Sequence, residues 1–336
     1  MLGPRIRSLR ETQGLTQAEL SRRAGVSRQL IGAVEAGRHL PRVDAAAAIA
    51  QVLGSSVEDL LAPDAAPLVG ALGPPEEGQH VHLARVGNQQ VCVPVAPGGA
   101  GWAPADAVVH DGTLQRLRAD RPAALVAGCD PALGLIHRLV EHDRTRGVIW
   151  ANASSAAARQ ALEAGRAHAA LVHGPADALP APGAALRRWR VASWQVGLAA
   201  DATHAADWAS AALSGRLPVV QREEGAASQT ALRHAATAAG TEGPLPGPVA
   251  AGHLEAGRLA QQTGSAAVTI EPVALALGLS FHPLEEHRSE VWVATDHLDV
   301  PGVRLFFDAL TDAHLHRRLT AIGGYDLTDC GIEVAG

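Results

Sequence analysis

The stretch from Thr16 to Gly37, TQAELSRRAGVSRQLIGAVEAG, constrains the fold more than any other part of the chain. It predicts two short helices joined by a tight turn. Thr16 precedes the first helix and Glu19 follows three residues on, the spacing at which a hydroxyl and a carboxylate take up backbone N–H groups that a helix start leaves unpaired. Leu20 and Ala24 then face inward. Gly25 supplies the turn, because a residue without Cβ enters the left-handed region at no steric cost. Ser27 caps the second helix. Its Ile31 and Val34, at i, i+3 spacing, bury one face, so Arg28, Gln29, Gly32 and Ala33 fall elsewhere on its surface. The unit is a helix-turn-helix.

Charge singles out the same region. Residues 1–42 carry eight Arg against three Glu, a local net of +5 in a chain of net charge −6, and such asymmetry suits phosphate contacts. The length, 336 residues, predicts two or three domains with ample core, and 47% hydrophobic with 18% charged residues describe a soluble globular chain. Met1-Leu2-Gly3-Pro4-Arg5 does not read as a secretory signal, and no apolar run approaches the about 18 residues of a membrane span. Cys92, Cys129 and Cys330 are too few and too scattered for a disulfide framework or a Cys-rich zinc site. The expected compartment is the cytoplasm, with no membrane partner.

The flanks extend the motif: RIRSLRETQGLT before Gln17 and RHLPRVDAAAAIAQVLGSSVEDLL after Gly37 complete a segment that resembles the XRE (phage-repressor-like) DNA-binding domain, about five helices, over nearly its whole length. The resemblance implies that the second helix of the motif lies in the major groove of double-stranded operator DNA. Arg28 and Gln29 match its base-reading positions, and their side chains suit guanine and adenine edges respectively. Gln17 matches a phosphate or base contact and Arg38 a backbone contact, with Ser27 and Gly32 on the same candidate surface. Arg10 and Glu35 match a pair that ties the first helix to the recognition helix, a structural role.

Beyond this domain, placed at 1–62, residues 63–79 read as a Pro/Gly/Ala-rich linker and 80–120 as a connecting region with a β-hairpin turning at Gly87-Asn88. From 121 to 336 short apolar runs alternate with helical patterns: AALVA at 123–127, strands at 147–150 and 168–172, RVASWQVGL at 190–198, 217–220 and 266–270. Thr203 is expected to cap a helix running to Ala212, and Phe281–Leu284 and Glu290–Ala294 to form two separate last strands. The alternation predicts a parallel α/β sheet.

In VAGCDPALGL, IWANASSAAARQALEAGRAHAALVHG, VVQREEGAAS, GHLEAGRLA, VTIEPVALALGLSF and IGGYDLT the chain resembles the type II periplasmic-binding-protein fold, specifically the molybdate-binding-protein-like domain found behind XRE domains. The fold class is therefore an all-α helix-turn-helix domain followed by an α/β two-lobed domain. Such sheets bind ligands beyond the carboxyl ends of strands. Those positions here are Cys129, Asp130, Asn152, Ser154, Ser155, His173, Arg222, Glu223, Ser228 and Glu271. Helix N-termini, serine hydroxyls and Arg222 suit an oxyanion such as molybdate or tungstate. Asp130, Glu223, Glu224 and Glu271 suit instead another small metabolite or an ion, since a carboxylate about 4 Å from another negative charge costs about 1 kcal/mol even with water-like screening. Trp150 and Trp194 read as core or as a stacking platform. Cys129, His173 and Glu271 are a candidate soft-metal set, although the reading adopted has no metal and no cofactor.

The leading reading is a one-component regulator, a homodimer on two half-sites about 34 Å apart whose operator binding an effector modulates. The alternatives are a DNA-tethered enzyme and a ligand-free scaffold. The sequence shows no nucleophile–base pair at a recognisable spacing and no nucleotide-binding glycine loop, which speaks against the enzyme.

Overall fold

The computed structural model describes residues 2–55, 57, 60, 68–95, 104–110, 112–117, 123–140, 147–177, 179, 183, 185–201, 203 and 206–334. The chain divides into two compact units, Met1–Pro67 and Leu68–Gly336.

The first unit is helical: α1 (Leu2–Thr12), α2 (Gln17–Ala24), α3 (Arg28–Glu35) and α4 (Val43–Val52). Thr16 Oγ1 accepts from Glu19 N and the Glu19 carboxylate accepts from Thr16 N, so the expected capping box is present. Gly25 closes α2 at φ 65°, and Ser27 Oγ accepts from Leu30 N to start α3. Leu20, Ile31 and Val34 meet Ile6, Ile49 and Leu53 in one core. Each fully buried Leu or Ile there contributes about 1.5–3 kcal/mol, which is what holds helices too short to persist alone. The fifth helix implied by the resemblance falls past Leu53, largely outside the described residues.

The second unit carries two sheets. The smaller has five strands in the order β1-β3-β2-β4-β5: β1 (Leu68–Gly70), β2 (His80–Val86), β3 (Gln89–Pro94), β4 (Ala107–His110) and β5 (Thr113–Arg116). The hairpin turn lies at Gly87, φ 58°, as expected. Leu68–Gly70, inside the expected linker, instead pairs in parallel with β3, a partner that the local pattern of three residues does not reveal. Val86, Val91 and Val93 pack with Leu125 and Ile149, which joins this sheet to the larger one.

The larger sheet has nine strands: β6 (Ala123–Gly128), β7 (Gly147–Asn152), β8 (Ala169–Gly174), β9 (Leu186–Ala200), β10 (Val219–Arg222), β11 (Val249–Ala250), β12 (Ala266–Ile270), β13 (Ser280–Ala294) and β14 (Glu333–Val334). Eight run in the order β11-β10-β12-β9-β13-β8-β6-β7, and β14 adds to β9. Its helices are α5 (Ala132–Val140), α6 (Ser155–Glu163), α7 (Trp208–Leu213), α8 (Ala227–Ala238), α9 (His253–Thr263), α10 (Glu271–Leu277), α11 (Pro301–Leu310) and α12 (Ala313–Ile322). At Gly302 in α11 a Cβ would lie 2.3 Å from Ala124 N, so glycine is what lets this helix rest on β6.

Three expectations are corrected. The sheet is mixed, because β9 and β13 run antiparallel to their neighbours. The two last strands are one 15-residue strand, β13; the charged run Glu285–Glu290 interrupts the apolar pattern but not the pairing, and register shifts at Pro283/Glu285 and Ser289/Glu290 absorb the irregularity. Thr203 caps no helix: α7 begins at Trp208, and Thr203 N instead donates to Asp201 Oδ1 at 2.9 Å.

The register places a site. Strands β6–β8 are parallel to one another, as are β10–β12, but the two sets run in opposite senses along the pair β9/β13. Gly174, the last residue of β8, pairs with Arg288, whereas Ile270, the last residue of β12, pairs with Val196, itself opposite Glu285. The carboxyl ends of both sets therefore meet at mid-strand, where Trp194 faces His287 in register.

Candidate functional site

On the first unit, Arg28 and Gln29 occupy the first two positions of α3 and are exposed, as are Ser27 and Arg38. Beneath them Glu35 is buried and accepts three hydrogen bonds, from Arg10 Nε at 2.6 Å, Arg10 Nη2 at 3.1 Å and Gln17 Nε2 at 2.8 Å, while Arg10 Nη1 donates to Leu15 O. The tie between the first and third helices is thus present. Gln17 spends its amide donor on it, and its Oε1 lies near Gly32, 3.8 Å from where a Cβ would stand. The surface offers two forked polar side chains at a helix start, backed by a rigid ion pair.

On the second unit, Cys129, Asp130, His173 and Arg222 of the predicted set are brought together at the mid-strand meeting point, and all four are buried. Cys129 Sγ lies 3.2 Å from His173 Nε2. His173 Nδ1 lies 2.9 Å from His287 Nδ1, and His287 Nε2 lies 2.5 Å from Glu285 Oε1. His253, the first residue of α9, completes a group with Cys129 and His173 whose ligand atoms all fall within 4.8 Å of one another. The ring of His173 also stands 5.6 Å from those of His253 and Trp194. Asp130 Oδ1 accepts from Ala132 N at 2.9 Å and from Tyr325 Oη at 2.7 Å. Arg222 is anchored by Nε and Nη2 to the carbonyls of Ala250 and Ala251, each at 3.1 Å.

Several buried polar atoms here have no hydrogen-bonding partner among the described residues: Asp130 Oδ2, Trp194 Nε1, Arg222 Nη1 and both ring nitrogens of His253; Ser228 Oγ, in the first turn of α8, has none either. An unsatisfied buried group costs about 1–3 kcal/mol, so a cluster of them marks a place built for something else to complete. Burial dominates the titration. It pushes the Cys129 thiol up to about 11, against the charge of Arg222, and Asp130 up to about 6, against its two hydrogen bonds. Burial first, then the neighbouring His287 and Arg222 for His173, and Arg222 for His253, hold both imidazoles well below the usual histidine range, which favours their neutral forms.

The remaining predicted residues serve other ends. Ser155 Oγ donates to His173 O and accepts from His173 N, which exhausts it as a ligand donor and corrects its place in an oxyanion cradle. Ser154 caps α6 by accepting from Ala157 N. Asn152 is exposed and donates to Ala251 O. Glu223 is half-buried, and Glu271 begins α10. The third partner of Cys129 and His173 is His253 and not Glu271. Trp150 donates to Gly128 O and packs against the core. Sequence reasoning missed His253, His287 and Tyr325. The one available signal was the Gly252-His253 junction between a strand end and a helix start; His287 and Tyr325 arrive from segments with no local mark.

Helix-turn-helix and mixed-sheet unit together define a class, a transcription regulator with a binding-protein-like second domain. Residues 6–60 match the helix-turn-helix family. Residues 136–311 match the PBP superfamily domain, and the chain belongs to that superfamily. An uncharacterized HTH-type transcriptional regulator of Methanothermobacter thermautotrophicus is 48% identical over 56 residues, 16% of this chain and 81% of the relative. SinR in the SinR/SinI complex is 31% identical with a TM-score of 0.18, covering 18% of this chain and 60% of that one. A reduced form of OxyR from N. meningitidis is 12% identical with a TM-score of 0.43, covering 61% and 98%. No helix among the described residues is long and apolar enough to cross a membrane.

Proposed function

We propose that this protein is a one-component regulator: the first unit reads operator DNA through Arg28 and Gln29, and a small ligand held at the mid-strand site of the second unit changes that binding. The observation that carries the reading is the convergence, on one buried spot between two strand sets, of polar atoms that nothing in the described chain satisfies. Their chemistry bounds the ligand. Arg222 Nη1 and Trp194 Nε1 offer donors, whereas Asp130 Oδ2 offers an acceptor. A bare dianion such as molybdate would sit against Asp130, and inside a poorly screened site that repulsion exceeds its about 1 kcal/mol in water several-fold. A ligand with both a positive and a negative or neutral polar end fits the set better. A homodimer on two half-sites belongs to the same proposal, because one helix-turn-helix domain makes few contacts for tight specific binding.

The test begins with an operator selected by the full-length protein from random duplexes. Its affinity is then measured with molybdate, tungstate, sulfate, phosphate, divalent metal ions and a small-metabolite panel, beside thermal stability. A fivefold or larger change in operator affinity, roughly the lower end of ordinary allosteric coupling, lost in Arg222→Ala, is expected for at least one compound. Stabilisation by none and an unmoved operator affinity would overturn the reading.

A further inference from the structure

We propose that Cys129 Sγ, His173 Nε2 and a ring nitrogen of His253 form a three-donor site for a borderline divalent transition-metal ion of the Zn2+ class, with one coordination position left open. The inference rests on the reading of this spot as the effector site and names the chemistry it takes.

Geometry is the first argument. In a tetrahedral site with Zn–S about 2.3 Å and Zn–N about 2.0 Å, ligand atoms stand about 3.3–3.5 Å apart. Cys129 Sγ and His173 Nε2 are already at 3.2 Å, and the third donor lies within 4.8 Å of both, so His253 is the side chain that moves in as the ion binds. Three protein donors drawn from imidazole and thiolate, with the fourth position open, is the pattern that zinc takes where a further ligand is to bind.

The hydrogen-bond chain behind the site is the second. The Glu285 carboxylate only accepts, so His287 Nε2 carries the proton it donates. A neutral His287 then offers a lone pair at Nδ1, which accepts from His173 Nδ1–H. His173 is thereby fixed in the tautomer whose Nε2 lone pair faces Cys129. Metal-bound histidines are oriented in this way, with the outer ring nitrogen donating toward a carboxylate; here a second histidine relays the bond. His253, fully buried with neither ring nitrogen paired among the described residues, supplies the independent sign that a partner is expected.

Charge is the third. A cation beside Arg222 is opposed by that guanidinium. The Cys129 thiolate, Asp130 and Glu285 supply three negative charges against Arg222 and a divalent ion, so the filled site is neutral. The thiol proton leaves to solvent as the metal–sulfur bond forms.

Cobalt(II) is the probe, added to the full-length protein after chelation and followed by absorption. One equivalent is expected to give a thiolate-to-cobalt charge-transfer band and visible bands of tetrahedral intensity. Cys129→Ser should abolish the charge-transfer band, His253→Gln should weaken binding at least about tenfold, and Cys330→Ser should change neither. Glu285→Ala, which removes the end of the relay without touching a ligand, should weaken binding about 10- to 100-fold. Should Cys129→Ser fail to fold, His253→Gln and Glu285→Ala read the same site. Absence of the thiolate band in the wild type, or its persistence in Cys129→Ser, would overturn the inference. Operator affinity separates the two readings: another compound shifting it while cobalt does not bind leaves the regulator reading intact and removes the metal, whereas cobalt bound as described with operator affinity unmoved by anything keeps the metal site and removes the sensor.

Discussion

Tyr325 donates its hydroxyl to Asp130 Oδ1 at 2.7 Å, joining positions 195 residues apart. The segment after α12 is thereby fastened to the end of β6, the strand that delivers Cys129. Trp194, at 5.8 Å edge-on to the Tyr325 ring, packs the same contact. Removing the hydroxyl in Tyr325→Phe leaves a buried carboxylate oxygen with one partner fewer. A loss of about 1–3 kcal/mol is expected in urea unfolding of the full chain, and an unchanged midpoint would show that the bond contributes nothing.

Glu35 holds Arg10 by two hydrogen bonds out of water. Glu35→Ala strands that guanidinium, and breaking a buried pair on one side costs about 3–5 kcal/mol. The double change Arg10→Met with Glu35→Leu should cost markedly less, since no charge is left unpaired. Separate unfolding transitions for the two units, followed by circular dichroism, are the measurement; equal losses in the single and double variants would contradict it.

Arg28 and Gln29 are exposed at the start of α3. Arg28→Ala and Gln29→Ala are each expected to cost about 1–3 kcal/mol of discrimination at one operator position while leaving unfolding curves unchanged. Selection from random duplexes reads this directly, and an unaltered preferred sequence would place another element in the groove.

His168 is buried, accepts from Leu125 N at 2.9 Å, and is held down at about 4 against the usual 6.5 by burial first and by His297 second. Between those values the unfolded chain takes up a proton that the folded chain refuses. Its contribution is therefore intact above pH about 6.5 and is lost as pH falls toward about 4, worth up to about 3 kcal/mol. Unfolding at pH 7 and pH 4.5 should show the decline, and His168→Asn, which keeps an acceptor for Leu125 N, should show less of it. The same decline in both would assign the loss to other groups.

Local chemistry determined much of this protein by itself. Thr16, Glu19, Gly25 and Ser27 specify helix ends through bonds made within three to five residues, so the helix-turn-helix, its inward Leu20, Ile31 and Val34 and its outward Arg28 and Gln29 were legible in sequence order. Ala266–Ile270 and the helix from Ala227 were legible for the same reason, because apolar periodicity needs no partner. Tertiary structure decided the rest. β9 and β13 are continuous because each pairs with the other, which no run containing Pro283 and Glu285–Glu290 announces. The site depends on that pairing: only the opposed senses of the two strand sets bring Cys129 and His173 from one, Arg222 and His253 from the other, and His287 from the strand between them to one point. Long-range register, and not residue type, chose His253 over Glu271.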